Sequence, residues 1–147
     1  MRKILAILLA ATVCLAMCSL LAGCSSGSSA DDLKSQREIT WEDNILTVNL
    51  GTNKTTGCEW KVEFVDDSVI GWGIVRIFHL SDEAAKDNLT AGTSEITFEG
   101  KSAGSTYIKL TTPYDWEGKE PGYAYVVHVL VNDDGTIADA RGEEVTE

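Results

Sequence analysis

Basic residues are scarce in this sequence of 147 residues: 12 Lys and Arg stand against 23 Asp and Glu, a formal net charge of −11. A surface of that sign repels nucleic acid and anionic headgroups, so neither is an expected partner, while a basic protein or a cation is compatible with it. Histidine is nearly absent, with two residues, and no Cys/His pair has metal-site spacing, so neither a metal nor any other cofactor is expected. Acidic residues cluster at Asp66-Asp67, Asp82-Glu83 and Asp133-Asp134, but none of these fits an EF-hand loop, and each reads as solvated surface. A set of nucleophile, base and oxyanion donor is missing too, so no catalytic residue is assigned and an enzyme is not expected. Long helical periods and internal repeats are also lacking.

What is present begins with a leader. Arg2 and Lys3 form a short positive patch, and from Ile4 to Ala22 no charged residue occurs. That stretch is long enough to raise the question of a membrane span, but it ends in Leu21-Ala22-Gly23-Cys24 with nothing basic directly after it to stop transfer. Leu-Ala-Gly-Cys resembles the bacterial lipobox, in which small residues fit the signal peptidase and the cysteine thiol accepts lipid. Residues 1–23 are therefore expected to be a lipoprotein signal peptide. Cys24 is expected to be lipidated, anchoring the chain to the cell membrane on its extracytoplasmic side. Residues 24–37, opening Ser25-Ser26-Gly27-Ser28-Ser29 after that cysteine, offer little to bury and read as a flexible tether. Loss of Arg2 and Lys3 leaves 10 basic residues against 23 acidic ones, a net charge of −13 on a chain of 124 residues (147 less 23), which suits one domain. Cys14 and Cys18 leave with the leader and Cys24 carries lipid, so Cys58 is the remaining thiol. No intramolecular disulfide is expected, and Cys58 reads as a small packed residue.

From about Glu38 to Asn132 the chain breaks into short runs rich in Val, Ile, Thr and aromatics, separated by Gly, Asn, Asp and Pro. Period-two alternation is clearest at Cys58–Phe64, where Trp60, Val62 and Phe64 share one face. It recurs with Ile96 and Phe98 in Ser94–Glu99 and with Ile108 and Leu110 in Thr106–Leu110. Tyr123–Val131 is apolar on both faces apart from His128, which suits a strand inside a sheet; Ile45–Leu50 and Ile74–Leu80 complete the set. Ser81–Asn88 suits one helical turn. Trp41, Trp60 and Trp72 are expected in or beside the core. The pattern predicts an all-β fold, an immunoglobulin-like antiparallel β-sandwich of about seven strands spanning residues 38–132, with 133–147 an exposed turn and a frayed acidic tail.

Loops at one end of a sandwich cluster and carry function, which directs attention to Gly51–Gly57, Leu89–Thr93 and Thr112–Gly122. The first contains Asn53-Lys54-Thr55-Thr56-Gly57, which taken alone reads as an ordinary β-turn. The second contains Ala91-Gly92-Thr93 before a strand. The third contains Thr112-Pro113-Tyr114-Asp115-Trp116 after one, with Trp116 either displayed for binding or tucked against the sheet. In order and spacing these loops resemble the chagasin family of cysteine-peptidase inhibitors over about Ile39 to Asn132. That family has an Asn-Pro-Thr-Thr-Gly loop, a glycine-rich loop and an Arg-Pro-Trp loop; here Lys54 stands in place of the proline and Thr112 in place of the arginine.

The resemblance implies reversible inhibition of papain-like cysteine peptidases by three loops that block the active-site cleft. The residues expected to do so are Asn53, Thr55, Thr56 and Gly57 as central insert, with Gly92, Pro113, Tyr114 and Trp116 flanking. The expected partners are a papain-like cysteine peptidase and, through the lipid, the membrane; a monomer is expected. The competing reading is a non-inhibitory cell-surface binding module that recognises a protein or a glycan through the same loops.

Overall fold

Alternating runs become strands in the computed structural model, which describes residues 30–64, 66–86 and 89–145. A short helix α1 (Ala30–Ser35) leads into β1 (Arg37–Glu42) and β2 (Ile45–Asn53); β3 (Lys61–Phe64) and β4 (Ile70–Leu80) follow. A one-turn helix α2 (Asp82–Lys86) then precedes β5 (Ala91–Gly100), β6 (Gly104–Thr111), β7 (Ala124–Val131) and β8 (Ile137–Val145). Two four-stranded antiparallel sheets result, in the orders β1-β2-β5-β4 and β3-β6-β7-β8. The fold is an all-β sandwich, with eight strands where about seven were expected.

The core lies between the sheets. Leu46, Val48 and Leu50 project inward from β2, and the register sets Leu46 opposite Phe98 and Val48 opposite Ile96 of β5. The other sheet answers with Ile108 and Leu110 of β6 and Tyr125, Val127, Val129 and Val131 of β7. Full burial of each large aliphatic side chain is worth about 1.5–3 kcal/mol, so this face-to-face packing is the main source of stability. Of the tryptophans, Trp60 is buried. Trp72 lies beside the core, half-exposed, its ring stacked on Phe98 at 5.8 Å and edge-on to Phe64 at 5.1 Å. Trp41 departs from expectation: it stands exposed on β1, an edge strand with no fully buried residue.

Both expected ends of the domain are corrected. Residues 137–145 form no frayed tail, since β8 pairs with β7 from Ile137 to Val145. Only Ile137 and Ala140 of that strand are buried; the charges of Arg141, Glu143 and Glu144 sit on a sheet edge, where they discourage further pairing and hide the strand from a periodicity search. Residues 33–37, expected as part of the tether, belong to the folded domain. Leu33 of α1 is buried, the Gly51 amide donates to the Gln36 carbonyl at 3.1 Å, and β1 starts at Arg37. Cys24 and the leader lie outside the described residues.

Candidate functional site

The first loop is a tight reversal closed by its own ends. Asn53 and Cys58 exchange both backbone hydrogen bonds at 3.0 Å, leaving Lys54–Gly57 as the turn. Gly57 has φ +79°, a left-handed conformation that only glycine adopts without cost. In its geometry the segment is the ordinary turn that its residues suggest. Lys54 and Thr55 form its exposed tip, Thr56 and Gly57 are half-buried, and Asn53 is buried at the root.

Neighbouring connections hold this turn from both sides. On one side the Lys54 amide donates to the Thr90 carbonyl and the Thr90 amide donates to Thr55 Oγ1, each at 2.8 Å. On the other, the Trp116 carbonyl accepts from Thr56 Oγ1 at 2.8 Å and from Asn53 Nδ2 at 3.1 Å. Each hydrogen bond of this kind contributes about 1 kcal/mol net, and together they limit how far the three segments can move apart.

Gly92 is not at a loop surface. It lies inside β5, buried, where a Cβ would come within 1.9 Å of the His79 carbonyl oxygen. Its missing side chain serves close strand approach, and the second connection contributes Leu89 and Thr90 to the exposed edge instead.

The third connection is built from the inside. Buried Thr112 donates through Oγ1 to the Tyr114 carbonyl at 2.9 Å and accepts the Tyr123 amide at 2.8 Å. The Asp115 carboxylate accepts the Lys119 and Glu120 amides at 2.8 and 3.2 Å. Those amides, Lys119 first, hold its carboxyl below the usual range. Trp116 is 8% exposed, so the tucked alternative is the observed one. Its ring joins Leu33, Cys58, Ala84 and Ala91 in a second, smaller core beneath the loops, with Tyr123 packed against it. Pro113 and Tyr114 face outward; Tyr114 is 52% exposed and lies so close to the turn that a Cβ on Gly57 would be 3.1 Å from its ring.

Of the expected site residues, the structure thus gathers Thr55, Thr56, Gly57, Pro113 and Tyr114 on one edge and puts Asn53, Gly92 and Trp116 beneath it. Thr90, Thr112, Asp115 and Leu33 were not anticipated. Thr112 and Asp115 lie within the expected loop, and a threonine beside Pro113 or an aspartate four residues before Lys119 is a local signal for self-bonded turns. Leu33 offered none. Cys58 is fully buried, and burial pushes its thiol up, so it stays protonated. The histidines sit on outer faces, His79 against Glu95 at 2.9 Å and His128 against Glu143 at 3.0 Å. Among the described residues no group of His, Cys, Asp and Glu could hold a metal ion.

Comparison with known proteins adds one positive finding. A chagasin-family peptidase-inhibitor profile matches residues 42–129, more than half of the chain and all three loops, while α1 and β8 fall outside it. No curated protein and no solved structure matches. The chain belongs to the chagasin family of peptidase inhibitors.

Proposed function

We propose that this edge reversibly blocks the active-site cleft of a papain-like cysteine peptidase, and that a lipid on Cys24 tethers the domain to the extracytoplasmic face of the cell membrane. The observation that carries the loop reading is the bonded alignment of Thr55–Gly57 with Thr90 on one side and Trp116 on the other. Such a turn is narrow enough for a slot built around an extended peptide. At Gly57 no Cβ holds the backbone away from a catalytic thiolate. The Thr55 hydroxyl, at the tip, offers a donor to cleft groups, and Tyr114 lays a rigid ring beside the insert at low entropy cost. Because the loops are already bonded in place, little ordering penalty accompanies binding. No covalent step is involved, and the anchor rests on the leader: the Arg2-Lys3 patch, the uncharged run from Ile4 to Ala22 and the Leu21–Cys24 motif.

The test is titration of papain with residues 25–147 as a soluble protein, beside Thr55→Arg, which puts bulk at the exposed tip without straining Gly57. Reversible inhibition by the natural sequence, weakened roughly 100-fold in the variant, is expected for a central contact. Absence of inhibition of papain and several related peptidases at about 100 μM would overturn the reading and favour the non-inhibitory binding module.

A further inference from the structure

Beside the loop edge, one flank of the sandwich is open. There β3 is the outermost strand of one sheet and β4 of the other, each bonded on one side only. Between them runs a groove of about 520 Å³, and Gly57, Pro113 and Tyr114 form its end, so it is continuous with the exposed loops. β4 carries an irregularity between Trp72 and Arg76, pinned where Thr97 Oγ1 accepts the Val75 amide at 2.8 Å. Such a bulge breaks the ladder of an edge strand and keeps it from pairing along its full length with another chain. The groove is left as a place for side chains as much as for backbone.

Its charge runs against the rest of the molecule. Lys54, Lys61 and Arg76 line it and only Glu59 opposes them, a local charge of +2 in a chain of −11. Lys54 is partly satisfied, with its ammonium 3.8 Å from Glu59 and 4.4 Å from the Phe78 ring centre. Arg76 lies over the Trp72 ring at 5.6 Å and reaches the Trp60 carbonyl at 3.4 Å, but has no carboxylate partner among the described residues. Exposed Lys61 has none either. Cations held in a concave site within an acidic surface concentrate their field there, and of the aromatic residues that line the groove, Phe78 and Tyr114, less buried than Trp60, offer apolar contact between the charges.

We infer that this groove takes an extended acidic stretch of polypeptide, its carboxylates on Lys61 and Arg76 and its apolar side chains on Phe78 and Tyr114. Resting on the inhibitor reading, we assign that stretch to the rim of the target peptidase beside its cleft. The loops then provide blockade and the groove provides choice among peptidases, since charge matching governs partner discrimination and encounter rate.

Two measurements on residues 25–147 test this. In the first, the ¹⁵N-labelled protein is titrated with an alternating glutamate–valine pentapeptide and, separately, its lysine–valine counterpart. Saturable shifts at the Lys61 and Arg76 amides are expected with the glutamate peptide only, weakened by added salt and lost in Lys61→Glu/Arg76→Glu. Lys61→Gln, at an exposed position, serves if the double variant misfolds. Shifts that are equal for both peptides, scattered over the chain, or absent at about 5 mM, where even feeble contacts register, overturn the inference. In the second, charge reversal is expected to raise the inhibition constant at least tenfold for a peptidase with an acidic cleft rim and not for one with a basic rim; equal effects overturn the assignment to the peptidase. Peptide binding without inhibition of any peptidase would count against the inhibitor reading, and inhibition without peptide binding against the groove.

Discussion

The two cores of this domain are made differently. The larger one joins sixteen buried residues, most of them on strands, where each apolar side chain has several equivalent neighbours. The smaller one has five, drawn from as many segments: Leu33 from α1, Cys58 after the first loop, Ala84 from α2, Ala91 at the start of β5, and Trp116 from the third loop. Tyr123 packs against both, and the Arg37 guanidinium lies over the rings of Trp60 and Tyr123 at 4.9 and 5.5 Å, tying the two together. In the large core, removing one residue weakens the whole fold. In the small one, each residue comes from a different connection or element end, so its removal is felt first at that segment. Stability and loop pose are therefore held by separate sets of side chains.

The sharpest way to break this division is to damage each core in turn. Phe98→Ala removes a fully buried ring and its contacts with Phe64 and Trp72. A loss of about 3–5 kcal/mol in urea unfolding is expected, a large part of a typical domain's stability. The molecules that remain folded should inhibit with nearly unchanged constants. Trp116→Ala should cost less, about 2–4 kcal/mol, because its core is small and lies at the end of the sandwich. Its inhibition constant should nevertheless rise far more than for Phe98→Ala, measured where both are folded. Leu33→Ala should behave like a milder Trp116→Ala, at about 2 kcal/mol. If potency instead follows stability across all three, the division is wrong.

The same contrast explains what could be read from the sequence. Trp60, Val62 and Phe64, or Ile96 and Phe98, announce themselves because a sheet with one buried face repeats every two residues. A core assembled from single residues has no period. Leu33 is one apolar residue in a Ser- and Asp-rich stretch, and reads as tether until Gly51 and Trp116 are seen against it. β8 was invisible for the opposite reason: its identity comes from backbone pairing with β7, and its exposed charges resemble a tail. The loop motifs were legible as motifs, but their orientation was not. Tyr114 and Trp116 stand two apart in a loop, and nothing in the residue types says which turns inward. The carbonyl of Trp116, held by Asn53 and Thr56 some 60 positions earlier, decides it.

That carbonyl gives a finer test. Thr56→Val keeps the shape of the side chain and removes one of the two bonds to Trp116, leaving the Asn53 bond in place. A loss of about 1 kcal/mol is expected for a half-buried hydroxyl bond. The inhibition constant should rise roughly five- to tenfold if the bond matters mainly for loop alignment, since tenfold corresponds to about 1.4 kcal/mol. In a Trp116→Ala background the Thr56→Val change should add much less, because the loop carrying the carbonyl has already moved; a fully additive double mutant would mean the two act independently.

The smallest expected effect is one of pH, and it is confined to one loop. The Asp115 carboxylate is held below its ordinary value of 3.8 chiefly by the Lys119 amide, then by that of Glu120. A depressed folded-state pKa means that the ionised group stabilises the fold fully above the ordinary value, and that this contribution is lost as pH falls through the lower one. The third loop should thus be unchanged between neutrality and about pH 5, and should loosen only in stronger acid. Asp66 and Asp134 are depressed in the same way by Ser68 and by Thr136, so a global melting curve would mix the three. Residue-specific NMR separates them: the Lys119 and Glu120 amides should titrate together, with an apparent pKa below that of an exposed aspartate. The Val127 amide in the large core should show no inflection there. Asp115→Asn, which keeps the acceptor oxygen without the charge, should abolish the step at Lys119 and Glu120. A step at the ordinary aspartate value, or one shared equally by Val127, would mean that the loop is held by the sandwich as a whole and has no separate fastening of its own.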